Sequence, residues 1–435
     1  MSSPNSSIAE SSQPPSVIPT TAPLVLSDDQ ERAANRVTSF ILDPEQKNLV
    51  LKGYAGVGKS TLMKHVIDSL PEVNELSKLV GNDDTDREML LTATTNKAAG
   101  ALRQTTGMAA ETIHSALGLT LIRNTTTHKQ ELSDTRRSRT YRDAFVIVDE
   151  AFMADNLLMS FMDRYLEDCK VLWIGDPAQL TPVGMNHCPL EARPYESVEL
   201  TQVVRQAADS PIIQLATLFR YAVLTGKFSF FKPDGEIIQH VNRATFESKM
   251  LDAFDESGGM PGAVKTLAWT NKAAIGWNNH VKAKMKGSLE INLGDYVVVN
   301  KAMNTPKAKL STDQTVQVTG KIPATEEGLD GHYFMLNDKS SEIFMPNSVD
   351  QKRALLRRLR RSGEAAKHAW IEDNWIDLRD EYACTVNKSQ GSTYGTTFID
   401  LDDISKCRSP NQLARMLYVA TSRAAKKIVL TGDID

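Results

Sequence analysis

The segment Gly53-Tyr54-Ala55-Gly56-Val57-Gly58-Lys59-Ser60-Thr61 satisfies G-x-x-x-x-G-K-[ST] and directly follows an apolar, strand-like run from Asn48 to Lys52. A strand that runs through such a loop into a helix is the building unit of a parallel-sheet α/β domain. The glycines let successive backbone N–H groups turn inward on an anion. Lys59 brings a mobile positive charge, and Ser60 can place a hydroxyl on Mg²⁺. Thr61 to Leu70 is expected to form the helix whose positive end faces the phosphates. The motif by itself names a nucleoside triphosphate site, with Gly53, Ala55, Gly56, Val57, Gly58, Lys59, Ser60 and Thr61 as candidate phosphate-binding residues.

At 435 residues the chain is too long for one ordinary core and calls for several units. Its hydrophobic content of 41% and charged content of 24% are those of a soluble globular protein. No run approaches the roughly 18 apolar residues of a membrane span, so no membrane partner is expected. The four cysteines, Cys169, Cys188, Cys384 and Cys407, show neither C-x-x-C spacing nor an adjacent histidine cluster, which suits a reducing cytoplasm. Residues 1–25 are rich in Ser, Pro and Thr and are expected to be a disordered tail. The absence of Lys and Arg from residues 1–23 argues against a secretory signal or a mitochondrial presequence. A formal net charge of −4 does not advertise a nucleic-acid binder, so any such partner must be held locally. Two basic stretches stand out, Arg136 to Arg142 and Lys352 to Arg361; the plain reading of each is a solvated face.

From Leu26 to Cys188 short apolar strands at Asn48–Lys52, Met89–Thr94, Phe145–Asp149 and Val171–Asp176 alternate with helical stretches, the βαβ rhythm of a parallel sheet. Between Gly118 and Arg142 the rhythm gives way to a Thr- and Arg-rich segment too long for a compact βα loop, which suggests an inserted hairpin. Past Leu200 a helix is expected to about Arg220, then a strand at Val264–Trp269 and a helix through Asn271–Met285. Alternating runs between Leu293 and Met345 suggest a small β-barrel, followed by a basic amphipathic helix over Val349–Trp370. Thr396–Leu401 and Lys427–Gly432 return to the parallel-sheet pattern, so a second α/β half lacks its own phosphate loop and can face the first across a nucleotide.

Phe145-Val146-Ile147-Val148-Asp149-Glu150 is an apolar strand ending in two carboxylates. Asp149 can hold Mg²⁺ and Glu150 can orient and deprotonate an attacking water, a pairing that favours hydrolysis over binding alone. Gly175-Asp176-Pro177-Ala178-Gln179 follows at another strand end, where Gln179 can contact a γ-phosphate without carrying charge.

Taken in order, these motifs resemble those of the superfamily-1 DNA helicases, in the branch of the Dda and RecD-like enzymes, from Leu26 to the C-terminus. Leu26-Ser27-Asp28-Asp29-Gln30 is similar to the Q motif, which implies that Gln30 reads adenine. Leu91 to Ala99 and Thr112 to Leu117 resemble motifs Ia and Ib. Asp149 to Met153 resembles motif II, Gly175 to Val183 motif III, and Leu200 to Gln206 motif IV. Thr385 to Ser392 resembles motif V and Leu417 to Ala424 motif VI. The family usually has His at the position of Asn387 and often an aromatic residue at that of Val204.

The resemblance implies two RecA-like P-loop-type parallel-sheet domains, with an inserted hairpin in the first and an inserted small SH3-like β-barrel in the second. The expected boundaries are 26–192 for the first domain, with 118–142 as a strand-separating pin; 193–290 and 380–435 for the second; and 291–379 for the inserted β-barrel and helical unit. It also implies ATP and Mg²⁺ as cofactors, with Ser60 and Asp149 on the metal and Gly391 beside the nucleotide. Lys59, Asp149, Glu150 and Gln179 would act on the phosphates, and Arg205 and Arg423 would reach across as arginine fingers. Thr95, Asn96, His114, Asn271, Lys388 and Ser389 would track single-stranded DNA. Bland alternatives exist: a partly buried His114, a helix cap built from Lys388 and Ser389, and a core Trp269. Forked duplex DNA is the implied substrate, 5′ to 3′ the implied direction, and phage replication or recombination the implied setting, with a single-strand-binding protein or replication proteins as partners. A single-strand translocase that displaces proteins and a non-catalytic nucleic-acid scaffold are the competing readings.

Overall fold

The computed structural model describes residues 26–79, 87–123, 130–135, 137–182, 184–185, 187–203, 210–306, 308–337 and 342–434. The tail expected over 1–25, the hairpin tip with His128, and Val204 and Arg205 lie outside the described residues.

Two parallel sheets carry the molecule. The first has the strand order Glu196–Leu200, Asn48–Gly53, Lys170–Gly175, Phe145–Asp149, Met89–Ala93 and Glu111–Thr112. Every ladder in it is parallel, so the phosphate loop and both acidic strand ends leave from one edge. Both faces are covered. Helices Asp28–Leu42, Lys59–Leu79 and Asn96–Thr106 bury Val37, Phe40, Leu62, Met63 and Leu102 against one side. Helix Asn156–Tyr165 buries Leu158, Met159 and Met162 against the other. This two-sided cover explains the near-continuous apolar run Phe145–Val148.

The second sheet is also all parallel, in the order Ile238–His240, Ala424–Thr431, Tyr394–Asp400, Val264–Ala268 and Ala383–Thr385. Four details of the fold differ from expectation for identifiable reasons. Glu196–Leu200 joins the first sheet, pairing in parallel with the strand that feeds the phosphate loop, so that sheet extends past residue 192. The first-loop helix continues through Pro71 to Leu79, because Val73 and Ser77 stay buried on its inner face and hold the turn beyond the proline. Of the helix expected after Leu200, residues 201–203 are not helical, 204–209 lie outside the described residues, and Pro211–Thr225 is helical with a proline at its first position. The basic segment divides into helices Val349–Arg361 and Ala365–Asn374, since Gly363 takes φ of 75° and reverses the chain between them.

The first insertion begins with strands Thr120–Arg123 and Gln130–Ser133, antiparallel with Thr120 opposite Ser133. Gly118 at its base has φ of 66°, and a Cβ there would lie 2.3 Å from the Arg137 carbonyl oxygen, so only glycine fits. The second insertion is a five-stranded antiparallel sheet in the order Ile343–Pro346, Leu329–Leu336, Thr315–Glu326, Tyr296–Val299 and Leu378–Asp380. Among the described residues no ladder joins its two outer strands.

A buried lysine fastens this insertion to the second parallel sheet. Lys282, on helix Asn271–Lys286, has no exposed surface, and its ammonium contacts Asp380 and lies 3.4 Å from Asp295. Those two acids sit where the chain enters and leaves the inserted sheet. Burial raises the pKa of Asp380, and Lys282 works against that rise. Lys282→Met would take the cation from a buried and a half-buried carboxylate, so a loss of about 3 kcal/mol is expected in denaturant unfolding, with Lys282→Arg losing less. Equal stability of the Met variant and the native chain would contradict this anchoring.

Candidate nucleotide and nucleic-acid site

Gly53 ends its strand with no room for a side chain, since a Cβ would meet Val57 Cγ2 at 2.9 Å and Lys59 Cγ at 3.1 Å. Gly56 and Gly58 take φ of 85° and 79°, turning the loop into the start of helix Lys59–Leu79. Val57 is buried and anchors the loop, while Ser60 is exposed and Thr61 half-buried at the helix start. The Lys59 ammonium is folded back on the loop, donating to the carbonyls of Gly53 at 2.6 Å and Tyr54 at 3.2 Å. An anion at the helix start would compete for that ammonium.

Asp149 and Glu150 end the strand two places from the loop strand in sheet order. Burial, then the negative charge of Glu150, pushes the Asp149 carboxyl up to about 7, with Lys59 opposing. Glu150 takes φ of 50°, the left-handed region, and its carbonyl accepts from the Thr94 hydroxyl at 2.9 Å. Two adjacent carboxylates, one raised by burial and by the charge of the other, fit a divalent cation that would relieve both effects. Hard oxygen donors from Asp149 and the Ser60 hydroxyl suit Mg²⁺.

Several side chains expected at the nucleotide are engaged elsewhere in this conformation. Gln30 is 3% exposed; its amide donates to the carbonyls of Val57 at 3.2 Å and Gly58 at 3.4 Å, and its oxygen caps the Ser27 N–H. It braces the loop from below and has no free edge for a base. Asp29 beside it accepts from the N–H groups of Thr201 at 2.6 Å and Gln202 at 3.0 Å, tying the loop region to the segment that leads toward Arg205. The Ala55 N–H is taken by the Tyr418 hydroxyl at 3.0 Å. The Gln179 side chain is buried and accepts from Gln390 at 3.4 Å. Gly391, with φ of 71°, faces the start of helix Asn96–Thr106, where a Cβ would meet Ala98 N at 3.3 Å; it lies on the motif Ia side, away from the phosphate loop. Arg423 is 7% exposed, and its guanidinium is held by the Ser392 carbonyl at 3.3 Å and the Ser422 hydroxyl at 2.9 Å.

The two halves meet through helix Pro410–Ser422. Tyr418 is 1% exposed; its hydroxyl donates to the Asp176 carboxylate as it accepts from Ala55, and burial beside Asp176 keeps it protonated. Arg415 donates to the carbonyls of Pro177 and Gln179, both at 2.5 Å. Small side chains let the backbones close up here: Ala178, Ala216 and Ala414 pack with Tyr418 and Tyr54. Tyr418 lies inside the motif VI stretch and Asp176 inside motif III, so the sequence carried both residues. That one hydroxyl joins them to the phosphate loop was not visible there.

On the opposite side the two sheets present matching helix starts. Thr95 caps helix Asn96–Thr106 by accepting from Ala98 N, and Thr270 caps helix Asn271–Lys286 by accepting from Ala273 N. The pentapeptide Thr-Asn-Lys-Ala-Ala occurs at both places, residues 95–99 and 270–274, each after a parallel strand. This repeat was the sequence signal that would have paired them. Asn96 and Asn271 are exposed. Lys388 lies between the halves but is occupied, donating to Asp313 at 2.9 Å and Asn300 at 3.1 Å of the inserted sheet, while Asn96 donates to the Thr312 carbonyl at 3.4 Å. Ser389 is wholly buried and donates to the Val386 carbonyl, which leaves it a capping group here. His114 is half-buried, and burial lowers its pKa, so it stands as a neutral ring.

Comparison with known proteins follows the same division. The family described as an AAA domain matches residues 25–241, and the UvrD-like helicase C-terminal domain matches residues 380–431. The chain belongs to the superfamily-1 helicases of the RecD/Dda type. It is 26% identical over 96% of its length to the ATP-dependent RecD2 DNA helicase of Deinococcus radiodurans, spanning 50% of that protein. It is 26% identical over 64% of its length to the ATP-dependent DNA helicase dda of Enterobacteria phage T4, spanning 62% of that protein. The chain thus spans about half to three fifths of these curated relatives. A solved structure of two coordinating Pif1 helicases at forked double-stranded DNA is 17% identical, covering 94% of this chain and 92% of that one with a TM-score of 0.49.

Removing the Tyr418 hydroxyl leaves a half-buried N–H and a buried carboxylate short of one bond each. Tyr418→Phe and Asp176→Asn should therefore each cost about 1–3 kcal/mol in urea unfolding, and the double variant should cost clearly less than their sum. Additive losses would show that the two groups do not depend on each other.

Proposed function

We propose that this chain is an ATP-driven DNA helicase that moves 5′ to 3′ along single-stranded DNA and opens forked duplex ahead of it. The observation that carries the reading is the Tyr418 bridge, because it wires the phosphate loop of one half to a helix of the other. A loop that merely binds nucleotide needs no such connection; a motor that turns nucleotide state into relative movement does.

In this reading ATP lies between the halves, with Lys59 leaving the Gly53 and Tyr54 carbonyls for the β- and γ-phosphates. Ser60 and Asp149 would hold Mg²⁺, which supplies charge neutralisation for phosphoryl transfer. Glu150, fixed by its strained backbone, takes a proton from the attacking water. Arg423 and Arg205 act on the charge that develops in the transition state, and Arg423 must give up its Ser392 and Ser422 partners to do so. Thr95, Asn96, Asn271 and Lys388 bind strand phosphates, which requires the strand to displace Asp313 from Lys388. Such contacts to the backbone carry no sequence preference, as a translocating enzyme needs. Gln30 supports the loop in this account, and Ser389 supports the turn that carries Lys388.

Both curated relatives named above are ATP-dependent DNA helicases, which supports the substrate class. The 5′-to-3′ direction rests on resemblance to the Dda and RecD-like branch, whose hairpin insert and modest second insert this chain shares. The likeness to a T4 phage enzyme supports a role in phage replication or recombination, and four unpaired cysteines suit a reducing cytoplasm.

Phosphate release should rise on adding single-stranded DNA. Lys59→Ala should lose nucleotide binding, Glu150→Gln should bind ATP yet turn over very slowly, and Arg423→Ala should lower turnover by about 10³ with little change in affinity. Turnover of all three at the native rate would refute the catalytic assignment. On paired substrates, strand release should need a 5′ overhang. Release from the 3′ overhang would reverse the direction, and DNA-stimulated hydrolysis without release from either would favour the strand translocase that displaces proteins.

A further inference from the structure

Helix Val349–Arg361 has two unlike faces. Leu355 and Leu359 are buried with Phe344, Ile371 and Trp375 at the outer edge of the inserted sheet. Lys352 also turns inward, donating to the Trp375 carbonyl at 3.3 Å. The remaining arc carries Arg353, Arg357, Arg358, Arg360 and Arg361, all exposed. Among the described residues only Arg353 has an acidic partner, Asp350 at 3.4 Å, itself 92% exposed. Five arginines concentrated on one helix face contrast with a whole-chain net charge of −4.

We propose that this arginine face grips the phosphodiester backbone of duplex DNA ahead of the fork; the inference rests on the DNA-motor reading and adds to it a second contact, separate from the single-strand path. At about 1.5 Å per residue the stretch from Arg353 to Arg361 covers roughly 12 Å, along which a duplex offers about seven phosphate charges. The helix between Val349 and Arg361 contains no aromatic ring on which an unpaired base could stack, so it suits a backbone grip better than a single strand. Its exposed positions from Asp350 onward carry no large apolar side chain to enter a bilayer. Arginine presents a planar fork that matches phosphate in a bidentate manner. Position agrees as well. The loop with Thr312 and Asp313 touches Asn96 and Lys388. The arginine helix packs instead on Phe344, Ile371 and Trp375 through Leu355 and Leu359, which leaves its five arginines turned outward.

The test compares the full chain with Arg357→Gln/Arg360→Gln/Arg361→Gln and with the matching triple lysine variant. Equilibrium binding is read by anisotropy on a single strand, a blunt duplex and a 5′-overhang fork over a range of KCl concentrations, beside single-strand-stimulated hydrolysis. The glutamine variant should lose most duplex affinity, and its salt slope on the fork should fall by about 2.7, at about 0.9 per phosphate contact. Single-strand affinity and stimulated hydrolysis should stay native, and the lysine variant should keep most of the slope. An unchanged fork slope would overturn the proposal and leave a solvated face. Equal loss on single strand and duplex would overturn it by placing the helix on the strand path. Loss of binding to anionic phospholipid vesicles with duplex binding intact would assign the face to a membrane instead. A native chain that hydrolyses ATP without any response to DNA would refute the motor reading itself, and native single-strand stimulation with an unchanged fork slope would refute this inference alone.

Discussion

One hydroxyl group, that of Tyr418, holds the account together. It accepts from an N–H of the phosphate loop and donates to Asp176 on the neighbouring strand end, yet it belongs to a helix of the other parallel sheet. Separating the halves would cost both groups this partner: the half-buried Ala55 N–H and the buried Asp176 carboxylate. Arg415 adds its grip on the Pro177 and Gln179 carbonyls, and the alanine-rich seam lets the backbones approach. A change at the loop therefore reaches the second sheet through rigid, packed contacts.

The opposite side of the cleft is arranged with the same economy but in a different state. Two copies of Thr-Asn-Lys-Ala-Ala set two capped helix starts at the ends of parallel strands, one per sheet. Beside them Lys388 holds Asp313 of the inserted unit. The inserted sheet is fastened to helix Asn271–Lys286 by Lys282, so displacement of Asp313 by a strand would be felt by the second half as a whole. In this conformation Lys59, Lys388 and Arg423 all bond to groups within the protein.

The parallel strands were legible because burial on both faces forces continuous apolar runs, as in Phe145–Val148, and because the glycines and Lys59 mark a loop with few other uses. Short or polar strands were not: Glu196–Leu200 has two glutamates and Ala383–Thr385 only three residues, and each is defined by its neighbour in the sheet. Site residues were legible as a set but less so in their tasks. Gln30 and Gln179 look like ligands in a linear reading, and the fold spends both on internal bonds. Asp313 and Asn300 gave no signal at all, since their importance comes from a loop of the insertion arriving beside Lys388.

The central claim is that nucleotide state sets the relation between the two halves. Distance between fluorophores on exposed Glu72 of the first half and exposed Asp252 of the second, each replaced by cysteine, reports it directly. With single-stranded DNA present, the distance should take one value with a non-hydrolysable ATP analogue and a different one with ADP, and Tyr418→Phe should blunt the difference. A single distance in every nucleotide state, in a protein that still hydrolyses ATP, would contradict the account.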